Sequence, residues 1–99
     1  MRPVRFAASA AADLDHIFRW AATDSPAAAE KIVDDIEAAC FELAQFPERY
    51  PVRARPRGRQ LRRRPLGRHN IYYEVTRSEV AIVRIIHSAR EIELFFSDG

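Results

Sequence analysis

Ninety-nine residues, 47% hydrophobic and 10% aromatic, are enough for one domain, spanning residues 1–99, around a single core, and no apolar run approaches the roughly 18 residues of a membrane span. The one cysteine, Cys40, excludes an internal disulfide, and Met1-Arg2-Pro3-Val4-Arg5 lacks the apolar stretch of a secretory signal, so a soluble chain in a reducing cytoplasm is expected. The formal charge of +2 is unevenly spread: residues 49–68 hold nine arginines with no lysine, aspartate or glutamate, while the flanking segments are acidic, and such a field needs an anionic partner.

In chain order, residues 4–7 alternate as a short strand. Ser9 is then expected to cap a helix whose Leu14, Ile17, Phe18 and Ala21 fall on one apolar stripe, with Asp13, Asp15 and Arg19 facing elsewhere. Asp24-Ser25-Pro26 breaks that helix. Ser25 as N-cap and Pro26 at the first helical position start a second one, with Ile32, Val33, Ile36, Ala39, Cys40, Leu43 and Ala44 on its inner side and Glu30, Asp34, Asp35, Glu37 and Glu42 outside. Pro47 is expected to end it. So short a connection implies an antiparallel helical hairpin.

The second half reads as sheet. After a Pro- and Arg-rich connector at 49–58, residues 60–66 form a candidate strand whose Pro65 belongs to an edge or a bulge. A turn at 67–70 leads to Ile71, Tyr73 and Val75 alternating with Tyr72 and Glu74. A second turn at 76–79 precedes 80–86, an apolar β-branched run expected to be a central strand buried on both faces. Residues 89–96 have helical and extended readings of similar weight.

Three pieces of the chain carry a resemblance to a known family. They are Val4-Arg5-Phe6 followed by Ala12-Asp13-Leu14 and Ile17; the segment from Leu43-Ala44 to Phe46-Pro47; and Leu61-Arg62, Ile71-Tyr72-Tyr73-Glu74-Val75, then Ile82-Val83-Arg84-Ile85-Ile86-His87-Ser88-Ala89-Arg90-Glu91. Together they resemble the ParE branch of the RelE/ParE toxin superfamily, the toxin half of type II toxin–antitoxin pairs. The resemblance implies an α+β fold, β-α-α-β-β-β, with an antiparallel sheet packed on the helical hairpin. It also implies a protein that poisons DNA gyrase, is neutralised by a dimeric ParD-like antitoxin with an acidic C-terminal segment, and needs no cofactor or metal.

RelE-like members of the superfamily cleave mRNA on the ribosome. That chemistry needs a proton-transfer group and cations where phosphate charge develops. In this chain Arg90 matches an arginine common in such proteins, but Phe96 stands where a RelE-like tyrosine is expected, and phenylalanine cannot transfer a proton. Lys31, the only lysine, lies on the second helix. For the ribonuclease alternative the candidate set is His87, Arg90 and Arg62, with His69 as a further acid–base group.

For the toxin reading the candidate antitoxin contacts are Trp20, Arg59, Arg62, Arg64, Tyr72 and Arg84, and the candidate target contacts are Arg90, Phe95 and Phe96. Each has a plainer alternative. Arg84 is expected to pair with Glu74 on the neighbouring strand, His87 to be a structural histidine, and Cys40 to be a small core residue. Trp20 either closes the hairpin or protrudes as an anchor. Phe95-Phe96 either docks on the core or offers an apolar patch. The arginine run has three candidate partners: phosphate, an acidic antitoxin tail, and the acidic face of the chain's own second helix. No aromatic lies between Arg53 and Arg64, which disfavours a single-strand stacking platform.

Overall fold

The computed structural model describes residues 2–90. Its elements run in the order β1 (Val4–Phe6), α1 (Ala8–Ala22), α2 (Pro26–Glu42), β2 (Val52–Ala54), β3 (Leu61–Leu66), β4 (His69–Val75) and β5 (Val80–His87), with 3₁₀ turns at Pro56–Gly58 and Ser88–Arg90. The strands form one mixed sheet in the order β1-β5-β4-β3-β2. Strands β2 to β5 are an antiparallel meander, and β1 lies parallel to β5 at its edge. The expected α+β order is therefore present, with one addition: β2 lies inside the segment read as a connector. The strand expected at the centre, β5, is second from an edge, and β4 is the middle strand. Among the described residues no helix is long and apolar enough to cross a membrane.

The start of α2 follows local chemistry. Pro26 occupies its first turn, and the Ser25 hydroxyl accepts the Ala28 N–H at 3.2 Å, satisfying one of the four donors a helix start leaves free. The start of α1 departs from expectation. Its N-cap is Ala7, and Ser9 lies inside the first turn, where its hydroxyl donates to the Val83 carbonyl at 2.7 Å. The second helix ends at Glu42, before Pro47 is reached, because Leu43, Ala44 and Gln45 each donate to the carbonyl three residues back and tighten the chain into a 3₁₀ exit.

The main core lies between the hairpin and one sheet face. Leu14 of α1 and Ile36, Ala39 and Cys40 of α2 meet Ile71 and Tyr73 of β4 and Val80, Ile82 and Ile85 of β5. Each such aliphatic side chain contributes on the order of 1.5–3 kcal/mol by leaving water. A smaller cluster occupies the opposite face, with Ala54, Leu61, Tyr72 and Ile86. Ile82 and Ile85 are three apart, a spacing that strict alternation would send to opposite faces. A β-bulge reconciles them: Tyr72 pairs with Arg84 and Tyr73 with Ile82, so Val83 is the extra residue and the alternation changes phase there.

Where β1 stops, α1 takes over the β5 edge. The last ladder bond runs from Ala7 N–H to the Ile82 carbonyl at 2.8 Å. Beyond it, the Val83 carbonyl accepts from Ser9 and the Ile85 N–H donates to Asp13 Oδ2 at 2.8 Å. The same carboxylate takes two bonds from Arg84, Nε to Oδ2 at 2.8 Å and Nη2 to Oδ1 at 3.1 Å. This corrects two expectations. Arg84 pairs with Asp13, not Glu74, and Asp13 faces the sheet because one carboxylate can serve both a cation and a strand-edge amide. Glu74 is bound instead by Arg59, at 3.0 Å.

At the far end of the same strand pair, His69 and His87 are directly opposite in register, their rings edge to face at 5.4 Å. Burial, then the neighbouring His87 charge, holds the His69 imidazole below its ordinary value.

Two predictions follow from these contacts. Asp13→Ala removes three charge-assisted bonds and leaves the half-buried Arg84 guanidinium unpaired; it is expected to cost about 2–3 kcal/mol in urea unfolding, and Asp13→Ala with Arg84→Met is expected to lose less than the single change. His69 gives the second. Its folded-state pKa lies below the unfolded value of about 6.5, so the unfolded chain takes up the proton first as pH falls. Stability is therefore fully present above about pH 6.5 and declines below it. The urea midpoint should drop between near-neutral and mildly acidic buffer, and His69→Gln should shrink that drop.

Candidate partner interface

Two arginines of β3 tie the sheet to the end of the hairpin through backbone carbonyls. Leu43 N–H bonds Cys40 rather than Ala39, which leaves the Ala39 carbonyl in the last turn of α2 for Arg64 Nη1 at 2.6 Å. A cation at a helix C-terminus also meets the negative end of the helix dipole. Arg64 completes this cap with an ion pair to Glu42 at 2.8 Å and stacks over the Tyr50 ring at 5.5 Å. Arg62 Nη1 donates to the carbonyls of Tyr50 at 2.7 Å and Glu48 at 3.2 Å. From β4 the Tyr73 hydroxyl donates to the Pro47 carbonyl at 2.7 Å, and burial pushes the phenol up to about 12.

Beside these ties lies an open groove of about 600 Å³ between α2 and the β3–β4 turn. Ile32, Ile36, Ala39 and Leu66 give it an apolar lining, and Asp35, Glu42, Arg64 and Arg68 give it charges of both signs. Arg68 is exposed, and among the described residues it has no ion pair. Ile32, expected on the inner side of α2, is instead on the groove and 36% exposed.

The candidate antitoxin contacts do not form one patch. Arg64 lines the groove, but its guanidinium and that of Arg62 are held within the molecule, their side chains 16% and 20% exposed. Arg59 pairs with Glu74, and Arg84 lies under α1 with Asp13. Tyr72 is wholly buried in the smaller cluster, on the sheet face away from the hairpin, so it offers no surface in the free chain. Trp20 does: it does not close the hairpin but protrudes near the α1–α2 turn, 70% exposed. The acidic outer face of α2 meets the arginine run through Glu42 and Arg64.

The ribonuclease set is also dispersed. His87 stands opposite His69, which follows the β3 terminus at Leu66, whereas Arg62 pairs with Tyr73 four residues back along β3. At about 3.3 Å per residue that is roughly 13 Å along the sheet. Arg90 is exposed on the 3₁₀ turn after β5, beside His87, whose Nδ1 accepts the Ala89 N–H at 3.1 Å. Phe95 and Phe96 lie outside the described residues. Cys40 is wholly buried, and burial pushes its thiol up to about 12, so it remains a protonated core residue.

Sequence reasoning missed Phe41 and Phe46, 55% and 69% exposed at the end of the hairpin opposite to Trp20. Phe41 packs edge to face on Phe6 at 5.7 Å. The signal was available: on α2, Phe41 falls off the inner stripe of Ile36, Ala39, Cys40 and Leu43, and an aromatic there must be partly exposed.

A solved chain of the chromosomal ParDE toxin–antitoxin system from P. aeruginosa superposes with a TM-score of 0.74 at 27% identity, over 88% of this chain and 96% of that one. No curated protein sequence matches. Residues 4–92 match the family described as ParE toxin of type II toxin-antitoxin system, parDE. That span contains both helices, all five strands, and the Asp13, Arg62, Arg64 and Arg84 contacts, and the chain therefore belongs to the ParE toxin family.

Proposed function

We propose that the chain acts in the cytoplasm as an inhibitor of DNA gyrase and is held inactive by a ParD-like antitoxin. The observation that carries this reading is the family match across residues 4–92, supported by the likeness to a chain of a ParDE system. The surface features fit such a partner. The groove beside α2 has the apolar lining and flanking charges that receive an amphipathic helix, and the exposed Arg68 favours an acidic one. Trp20 serves as an aromatic anchor for the same extended segment. Arg90, with Phe95 and Phe96, is assigned to the target. The gyrase contact itself rests on family analogy.

Two measurements test the proposal. Toxin freed of its antitoxin should block supercoiling of relaxed plasmid by gyrase, and added antitoxin should restore it; unaffected supercoiling at full gyrase occupancy by toxin would end the gyrase reading. Trp20→Ala should weaken antitoxin binding about tenfold or more in calorimetric titration, an anchor-sized loss of about 1.4 kcal/mol. The urea midpoint should stay unchanged, because Trp20 contributes little to the core.

A further inference from the structure

Once the internal partners of the arginine run are assigned, a distinct residue subset is left over. Arg59, Arg62 and Arg64 are paired with acids or carbonyls. Arg53, Arg55 and Arg57 are exposed, and they have no ion pair and no side-chain hydrogen bond within the described chain. All three lie on the β2–β3 hairpin. Arg53 lies at a register shift in β2 and Arg55 directly follows the strand; both are exposed, while Ala54 between them is buried in the smaller cluster. Strand β2 is the sheet edge, paired only with β3.

Arg57 is at the tip, and its backbone is the most unusual in the described chain. It has φ 53° and ψ 37°, Gly58 follows at φ 80°, and Arg59 N–H closes the turn on the Pro56 carbonyl at 3.0 Å. Two successive left-handed residues make the tight turn of a hairpin in which asparagine or glycine usually takes the first position. A Cβ is disfavoured there, yet arginine occupies it, which places a third guanidinium at the point of the hairpin.

We propose that this hairpin is a contact for the phosphate backbone of duplex DNA. Three observations select that ligand. First, the acids that reach the arginine run, Glu74, Glu48 and Glu42, pair with Arg59, Arg62 and Arg64, and among the described residues none pairs with Arg53, Arg55 or Arg57, so the positive field persists at the hairpin. Second, the exposed large apolar residues among those described, Trp20, Ile32, Phe41 and Phe46, all lie off the hairpin. A peptide partner needs such anchors, whereas phosphate contacts need only cations, and guanidinium forks suit phosphate oxygens. Third, no aromatic lies between Arg53 and Arg64, so bases have nothing to stack on and a single strand gains little over a duplex. Binding of this kind is insensitive to sequence and strongly salt-dependent.

The test uses the full-length chain, freed of antitoxin, and a short fluorescein-labelled duplex of mixed sequence, followed by anisotropy across a salt series. Each phosphate contact contributes about 0.9 to the slope of log affinity against log salt. The triple variant Arg53→Gln, Arg55→Gln, Arg57→Gln should therefore flatten the slope by about 2–3 and weaken low-salt binding at least tenfold. Arg57→Gly, which relieves the left-handed strain and so should keep the fold, should by itself flatten it by about 1. No duplex binding by the unmodified chain, or an unaltered slope and affinity in both variants, overturns the proposal. Tighter binding to a poly-glutamate peptide or to a single strand than to the duplex overturns it as well, in favour of those ligands. Gyrase inhibition by a chain that fails to bind duplex would refute this proposal and leave the toxin reading standing.

Discussion

Past Ile82 the outer edge of β5 has no strand beside it, and the fold depends on how that edge is satisfied. A bare strand edge exposes amides and carbonyls that must find partners. Here the first half of α1 provides them from side chains, Ser9 for one carbonyl and Asp13 for the next amide. Asp13 does this while held by two bonds to Arg84, a residue of the same strand, so the helix is fixed against the sheet in position and in rotation. The bulge at Val83 falls at the same place. It bends the strand where β1 ends, and Ile85 thereby returns to the helical face of the sheet.

The arginine run divides by the same logic of satisfied and unsatisfied groups. Arg62 and Arg64 act as internal fasteners, joining β3 to the exit of α2 and to the loop that follows it. A hydrogen bond from a charged donor to a carbonyl is worth about 1.5–3 kcal/mol when shielded from water, and both side chains are largely shielded. Arg53, Arg55 and Arg57 have no such internal work. A single sequence feature thus serves stability at one end and recognition at the other, and only the strand register separates the two.

What the sequence made legible was whatever is decided locally. Ser25-Pro26 announces a helix because cap and first turn are adjacent in sequence, and Ile71, Tyr73 and Val75 announce a buried face because alternation is a property of one strand. Asp13 and Arg84 are 71 residues apart, so their pairing has no local trace, and Glu74 was the nearer and mistaken choice. Ser9 looked like a cap for the same reason: its chemistry suits a helix start, and nothing nearby shows that a sheet edge competes for its hydroxyl. The three-residue β2 lies between Pro51 and Pro56 among arginines, a composition that reads as a connector and hides the strand. As for the site, Trp20 was legible as an outlier from its stripe, whereas the groove was not, because it exists only where α2 passes the β3–β4 turn.

The ties made by Arg62, Arg64 and Tyr73 share a property: each ends on a main-chain carbonyl, of Ala39, Pro47, Glu48 or Tyr50. Any amino acid presents the same oxygen. Apart from Glu42, Glu48 and Tyr50, whose side chains Arg62 and Arg64 also engage, the joint between hairpin and sheet does not depend on which side chains this loop and helix exit carry. The surface around this joint can thus differ in its lettering while the frame beneath it stays in place.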